Sequence, residues 1–158
     1  MGVEYSSRMA KVITPKDENW FICTLGKSTS HNWDICKEHK IWGIPTNGRN
    51  YNLSKAKKGD NLLFYLASVG FLGLGKVTGP MRIPSSREEA PWAGGIYRYG
   101  VIVPFKLVTE TDSPLKVNFV TNKIADTGVS TTLLRRGFAQ VSTIDGLKIQ
   151  ESFLSAKK

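Results

Sequence analysis

Between Ser28 and Pro45 the chain reads STSHNWDICKEHKIWGIP, which puts hydroxyl and amide side chains shortly ahead of a tryptophan beside a glycine. Ser28 and Asn32 can both donate and accept hydrogen bonds. Trp42 offers a flat aromatic face, and Gly43 lets a ligand come close to the backbone. Such groups suit a planar heterocycle, read along its edge and covered on its face. A purely structural role competes at Trp42, because tryptophan is highly buried on average. Trp92 stands in a long Pro-rich loop, with Tyr97 and Tyr99 close behind it.

Cations surround the same loops in sequence: Arg49, Lys55, Lys57, Lys58, Arg82, Arg98, Arg135 and Arg136. Aromatic faces for bases together with cations for phosphates are the parts of single-strand or flipped-base recognition. Each lysine taken alone fits a solvated face equally well, and Arg135-Arg136 also fits a charge pair at a helix end. The whole chain has 22 Lys and Arg against 13 Asp and Glu, a net charge of +9. That balance favours phosphate-rich partners.

Other chemistries fit less well. GFLGLGKV at 70–77 nearly matches a phosphate-binding loop, but Val77 supplies no hydroxyl for a magnesium ion. Its flanks read as a hairpin, so its glycines mark a bend or a close approach. His31, Cys36 and His39 sit on one short helix without a second ligand pair, which argues against a metal site. A Cys36–His39 nucleophile pair lacks an orienting third group. No matched carboxylate pair is visible. The expectation is a non-catalytic domain with no cofactor.

The elements that position these residues are legible from patterning. Asn19–Leu25 is aromatic and β-branched, as in a first strand. Residues 30–40 form a helix, with Ser28, Thr29, Ser30 and Asn32 as capping types, Trp33 and Cys36 on one face, and Asp34 and Lys37 ordered to suit the macrodipole. Asn61–Ala67 and Phe71–Thr78 pair as a hairpin. Residues 96–109 read as a long strand with a break or bulge at Pro104, Leu115–Val120 as a short one, Ser130–Arg136 as a helical turn, and Thr143 onward as a final helix. Residues 1–18 read as a flexible arm before one domain at 19–154. The two cysteines make no disulfide framework. With no signal-peptide layout and no apolar run near the roughly 20 residues a membrane helix needs, the expected setting is cytoplasmic.

The segments NWDICKEHKIWGIP and YNLSKAKKGDNLLFYLASVGFLGLGKVTGP, with TTLLRRGFAQVSTIDGLKI near the end, resemble the EVE family of the PUA-like superfamily, related to YTH domains. The likeness is specific before Gly79 and looser after it. It implies an α+β fold, a curved, barrel-like antiparallel sheet flanked by helices. It implies a nucleic-acid partner, DNA or RNA, carrying a modified base such as N6-methyladenine in an aromatic cage. In that comparison Trp42 is similar to the first cage wall, Trp92 to a second, Asn32 and Ser28 to edge readers, and Arg136 to a backbone-phosphate contact. Gly43 departs from the Ser or Cys of YTH domains, which leaves the base open. EVE-like domains also serve as targeting modules of modification-dependent restriction systems, so the resemblance allows a larger multidomain or restriction complex. The alternatives are a PUA-like module that binds RNA without a modified base, and a small-molecule or minor enzymatic role for the same pocket.

Overall fold

The computed structural model describes residues 18–157. The expected arm therefore lies, apart from Glu18, outside the described residues. Six strands form one curled sheet: β1 (Trp20–Leu25), β2 (Ile41–Pro45), β3 (Asn61–Leu66), β4 (Gly70–Val77), β5 (Tyr99–Leu115) and β6 (Phe138–Val141), in the order β2-β5-β4-β3-β1-β6. Helix α1 (Asn32–His39) follows β1, a single turn α2 (Gly95–Arg98) precedes β5, and α3 (Thr143–Lys157) ends the chain. No helix among the described residues is long and apolar enough to cross a membrane.

The α+β architecture is the expected one, with one difference in strand direction. β1 and β3 run parallel, Trp20 opposite Asn61 through Leu25 opposite Leu66, while every other pairing is antiparallel. The sheet is thus mixed. Parallel neighbours need a crossover connection, and here α1 and β2 supply it.

β5 is longer than its pattern implied. Its first half pairs with β2 as far as Ile41 opposite Pro104, and Phe105 onward pairs with β4. Pro104 is the point where one strand changes partner. Its missing N–H costs nothing there, and its carbonyl accepts from Thr78. The short strand expected at 115–120 is absent, because β5 itself runs on to Leu115 and the chain then enters a turn. At the other end, Gly94 and Gly95 have positive φ and start α2, so residues 96–98 are helical rather than extended.

Two apolar clusters fill the faces of the sheet. One gathers Phe21, Cys23, Trp33, Trp42, Phe64, Trp92 and Phe105. The other gathers Trp20, Ile22, Leu63, Phe71, Ile149 and Phe153 under α3. The glycines of GFLGLGKV belong to this packing. A Cβ on Gly75 would stand 2.9 Å from the Phe64 ring, so the residue makes room for an aromatic side chain rather than a phosphate.

α1 is held against β5 by a charged clamp. Trp33 Nε1 donates to Glu110 Oε2 at 2.8 Å, and Lys37 Nζ donates to the same oxygen at 2.9 Å. The Trp33 ring packs on Phe64 at 4.8 Å. The clamp fixes the helix whose first residue is Asn32.

Candidate functional site

A cavity of about 140 Å³ opens where the end of β1, the start of α1, β2 and the loop before β5 converge. Engineered cavities of roughly 150 Å³ accept a benzene-sized ring, so this space is on the scale of a single heterocycle. Ser28, Asn32, Trp42, Gly43 and Trp92, the five residues expected to form a pocket, all line it. Cys36, Arg98 and Tyr99 line it as well.

Each aromatic wall is anchored from behind. Trp42 is 3 % exposed, its indole N–H donates to the Gly137 carbonyl at 3.2 Å, and its ring meets Phe64 at 5.7 Å. It is therefore both core and cavity lining, so the two roles open at the sequence level coincide. Trp92 is 4 % exposed and packs on Tyr99 with ring centres 5.1 Å apart. Its indole hydrogen-bonds to the Cys36 thiol. Burial pushes that thiol up to about 12 despite the hydrogen bonds from Trp92 and the Gly43 backbone, so it stays neutral. His39, three residues further along α1, is exposed.

The polar groups divide into an exposed serine and a buried asparagine. Ser28 is exposed in a short turn over Lys27–Thr29. Asn32 is 6 % exposed. Neither caps the helix: His31 holds the N-cap position without a side-chain hydrogen bond, and Asn32 is the first helical residue. Its amide Nδ2 instead donates to the Tyr99 hydroxyl at 3.2 Å, and its Oδ1 is buried without a partner. A buried amide oxygen left unpaired costs about 1–3 kcal/mol, a cost that a bound donor would remove.

The cations are not all in one place. Arg49, Arg135 and Arg136 line one groove, together with Tyr51, Gly137 and Phe138. Pro45 borders both this groove and the cavity, and Gly137 carries the carbonyl that anchors Trp42. Pro45 of β2 thus stands between the groove and the cavity. Lys55 lies over the Tyr51 ring at 5.5 Å, and Arg98 over Tyr99 at 5.4 Å. Lys57 pairs with the fully buried Asp60 at 2.9 Å. Lys58 and Arg82 are exposed and border neither space. In the sequence Tyr99 stands with Tyr97 among the aromatic residues that follow Trp92, with no place in the pocket assigned to it. Its role next to Asn32 depends on the turn at Gly94-Gly95, whose paired glycines were the available signal.

No protein-family model matches the chain, and no curated protein does. Solved structures match it by shape. A hypothetical protein from Leishmania major superposes with a TM-score of 0.60 at 17% identity, covering 87% of this chain and 96% of that one. The YTH domain of Toxoplasma CPSF4, in complex with a 7-mer m6A-modified RNA, gives 0.59 at 18% identity, covering 85% and 90%. Protein Atu2648 from Agrobacterium tumefaciens gives 0.55 at 19% identity, covering 85% and 92%. The fold is the YTH/EVE-like α+β fold.

Proposed function

We propose that this chain is a non-catalytic nucleic-acid reader that takes a methylated base, flipped or single-stranded, into the cavity lined by Trp42 and Trp92. The unit that does so spans residues 19–154. Asn32 supplies the buried edge contact and Ser28 a contact at the lip. Arg49, Arg135 and Arg136 hold the phosphates along their groove, with Arg98 at the mouth of the cavity.

The observation that carries the reading is the cavity itself. It is sized for one ring, walled by two anchored tryptophans, and contains an amide oxygen that nothing in the described residues satisfies. Stacking on an aromatic side chain contributes about 1–3 kcal/mol per base. A buried methyl adds about 0.8 kcal/mol, so methyl selectivity is several-fold unless the cage shape amplifies it. The likeness to YTH domains solved with m6A-modified RNA supports the same class of ligand.

The arginine groove favours one second reading, an RNA-binding module that needs no modified base. The two separate in a binding panel of single- and double-stranded DNA and RNA with N6-methyladenine, N4-methylcytosine, 5-methylcytosine or no modification. The reader shows a several-fold preference for one modified strand. The alternative binds all strands of one type alike.

A further inference from the structure

A second depression, of about 430 Å³, opens between the β3–β4 turn and the segment that follows β5. Ser68, Phe119, Asn122, Thr132 and Arg135 line it. Arg135 also lines the groove with Arg49 and Arg136, and Pro45 borders both that groove and the cavity. The shared residues set an order: cavity, groove, second depression.

Phe119 is presented to solvent from a fixed turn. It is 57 % exposed, its neighbour Val120 is 94 % exposed, and neither belongs to the two apolar clusters. Asn118 Oδ1 accepts from the Val120 N–H at 2.9 Å, and Thr121 Oγ1 donates to the Asn118 carbonyl at 3.0 Å. Just beyond, Asn122 at φ 59° accepts the Thr131 hydroxyl on its Oδ1, and Ile124 is fully buried. The ring is thus held outside the core by a segment that is itself anchored. Arg135 is the charged residue beside it, and no carboxylate occurs among the described residues that line the depression. An exposed ring with a cation next to it and hydroxyl and amide groups around it has the composition of a base-stacking platform.

We propose that this depression is a second nucleotide subsite, where Phe119 stacks on a further base of the strand held in the arginine groove and Arg135 contacts the phosphate between them. This rests on the nucleic-acid reading above and extends the bound strand beyond the nucleotides around the cavity. The subsite tolerates any base, because every base has a stacking face. Ser68, Asn122 and Thr132 each carry both a donor and an acceptor, so they suit any base edge.

The experiment compares two single-stranded probes, each made as RNA and as DNA. One is a strand of about 13 cytosines with N6-methyladenine at its middle, within the range of lengths such grooves track. The other is the trinucleotide from its centre. Affinities are measured at one salt concentration for the wild type, Phe119→Ala and Phe119→Trp, with thermal unfolding as the folding control. Phe119→Ala should bind the long strand about tenfold more weakly and the trinucleotide as the wild type does. Phe119→Trp keeps a ring and should bind the long strand at least as tightly as the wild type, which tests the point even if Phe119→Ala fails to fold. An abasic unit moved along the long strand should cost the wild type a similar factor at one position, and there Phe119→Ala should add less than about twofold. Long-strand affinity unchanged in Phe119→Ala, or lowered by the same factor as trinucleotide affinity, overturns the inference and leaves the reader intact. So does a Phe119→Ala effect confined to the sedimentation of the protein alone, the mark of a contact between copies of the chain. Equal binding of methylated and unmethylated long strands overturns the modified-base reading alone, since the Phe119 comparison does not depend on the methyl group. A wild type that binds neither probe overturns both.

Discussion

The Trp92 ring occupies the space that a side chain on Gly43 would need: a Cβ there would stand 2.7 Å from Cζ3 and 2.8 Å from Cη2 of the indole. Gly43 directly follows Trp42, the other tryptophan that lines the cavity. One residue therefore sets how closely β2 and the loop that carries Trp92 approach each other. Gly43→Ala should push Trp92 off Tyr99 and Cys36. Overpacking of this kind costs about 1–3 kcal/mol, visible as a lower midpoint in denaturant. The same variant should lose preference for a modified base while its salt-dependent binding persists. Unchanged stability and unchanged preference would mean that Trp92 has room to move.

The clamp on α1 predicts a pH dependence. Burial alone would raise the Glu110 carboxyl, but the hydrogen bonds from Lys37 and Trp33 and the Lys37 charge outweigh it and hold it below its ordinary value. A carboxylate lowered in the folded state adds stability above its unfolded value of about 4.3. That contribution is lost as pH falls through the lower folded value. Wild-type stability should therefore decline below about pH 4 more steeply than that of Glu110→Gln. The difference at neutral pH is about 1 kcal/mol or less, since the pair is partly solvated. Parallel curves for the two proteins in denaturant titrations from pH 2 to 7 would remove Glu110 from the acid transition.

Asp60 separates structure from recognition in the KKGD turn. It is fully buried and accepts from the backbone N–H groups of Asn19 and Lys57 and from both their side chains. Asp60→Ala should destabilise the protein by about 2–3 kcal/mol, because the hydrogen bonds to a fully buried charged acceptor are lost. Below its melting temperature the variant should bind nucleic acid as the wild type does. Lost affinity in a folded Asp60→Ala protein would instead tie this turn to the ligand.

The path from sequence to site was legible where patterns are local. Trp33 and Cys36, three apart on α1, do share a buried face, and the apolar run 61–66 is a buried strand. What escaped is what depends on partners distant in sequence. Alternation through 96–103 treats Tyr97 and Tyr99 as equivalent, yet the glycine-led turn leaves Tyr97 71 % exposed and puts Tyr99 in the core. Asn32 has the composition of a capping residue, but its amide is used 67 positions away on Tyr99. The direction of β1 against β3 was hidden too, because a nearly continuous apolar run marks a strand buried on both faces without naming its neighbour. The lining of the cavity was legible as residue types and illegible as a geometry.

The arginine groove makes an ionic prediction. Each phosphate contact adds about 0.7–0.9 to the slope of log affinity against log salt. Arg136→Ala should lower the slope by roughly one unit and weaken modified and unmodified strands alike. Arg82→Ala, outside the groove and the cavity, should leave it unchanged. The reverse ranking would move the strand's path to another face.

The central claim is that a modified base enters the cavity. Its most direct test is a fluorescence-anisotropy titration of wild-type protein, at one fixed salt concentration, with strands identical but for a single methyl group on one base. A methylated base held in the cavity gives at least a several-fold tighter complex with one methylated strand, and that difference is lost in Trp92→Leu, whose affinity for the unmethylated strand stays near wild type. Equal affinity for every methylated and unmethylated strand, with wild type and Trp92→Leu alike, would contradict it.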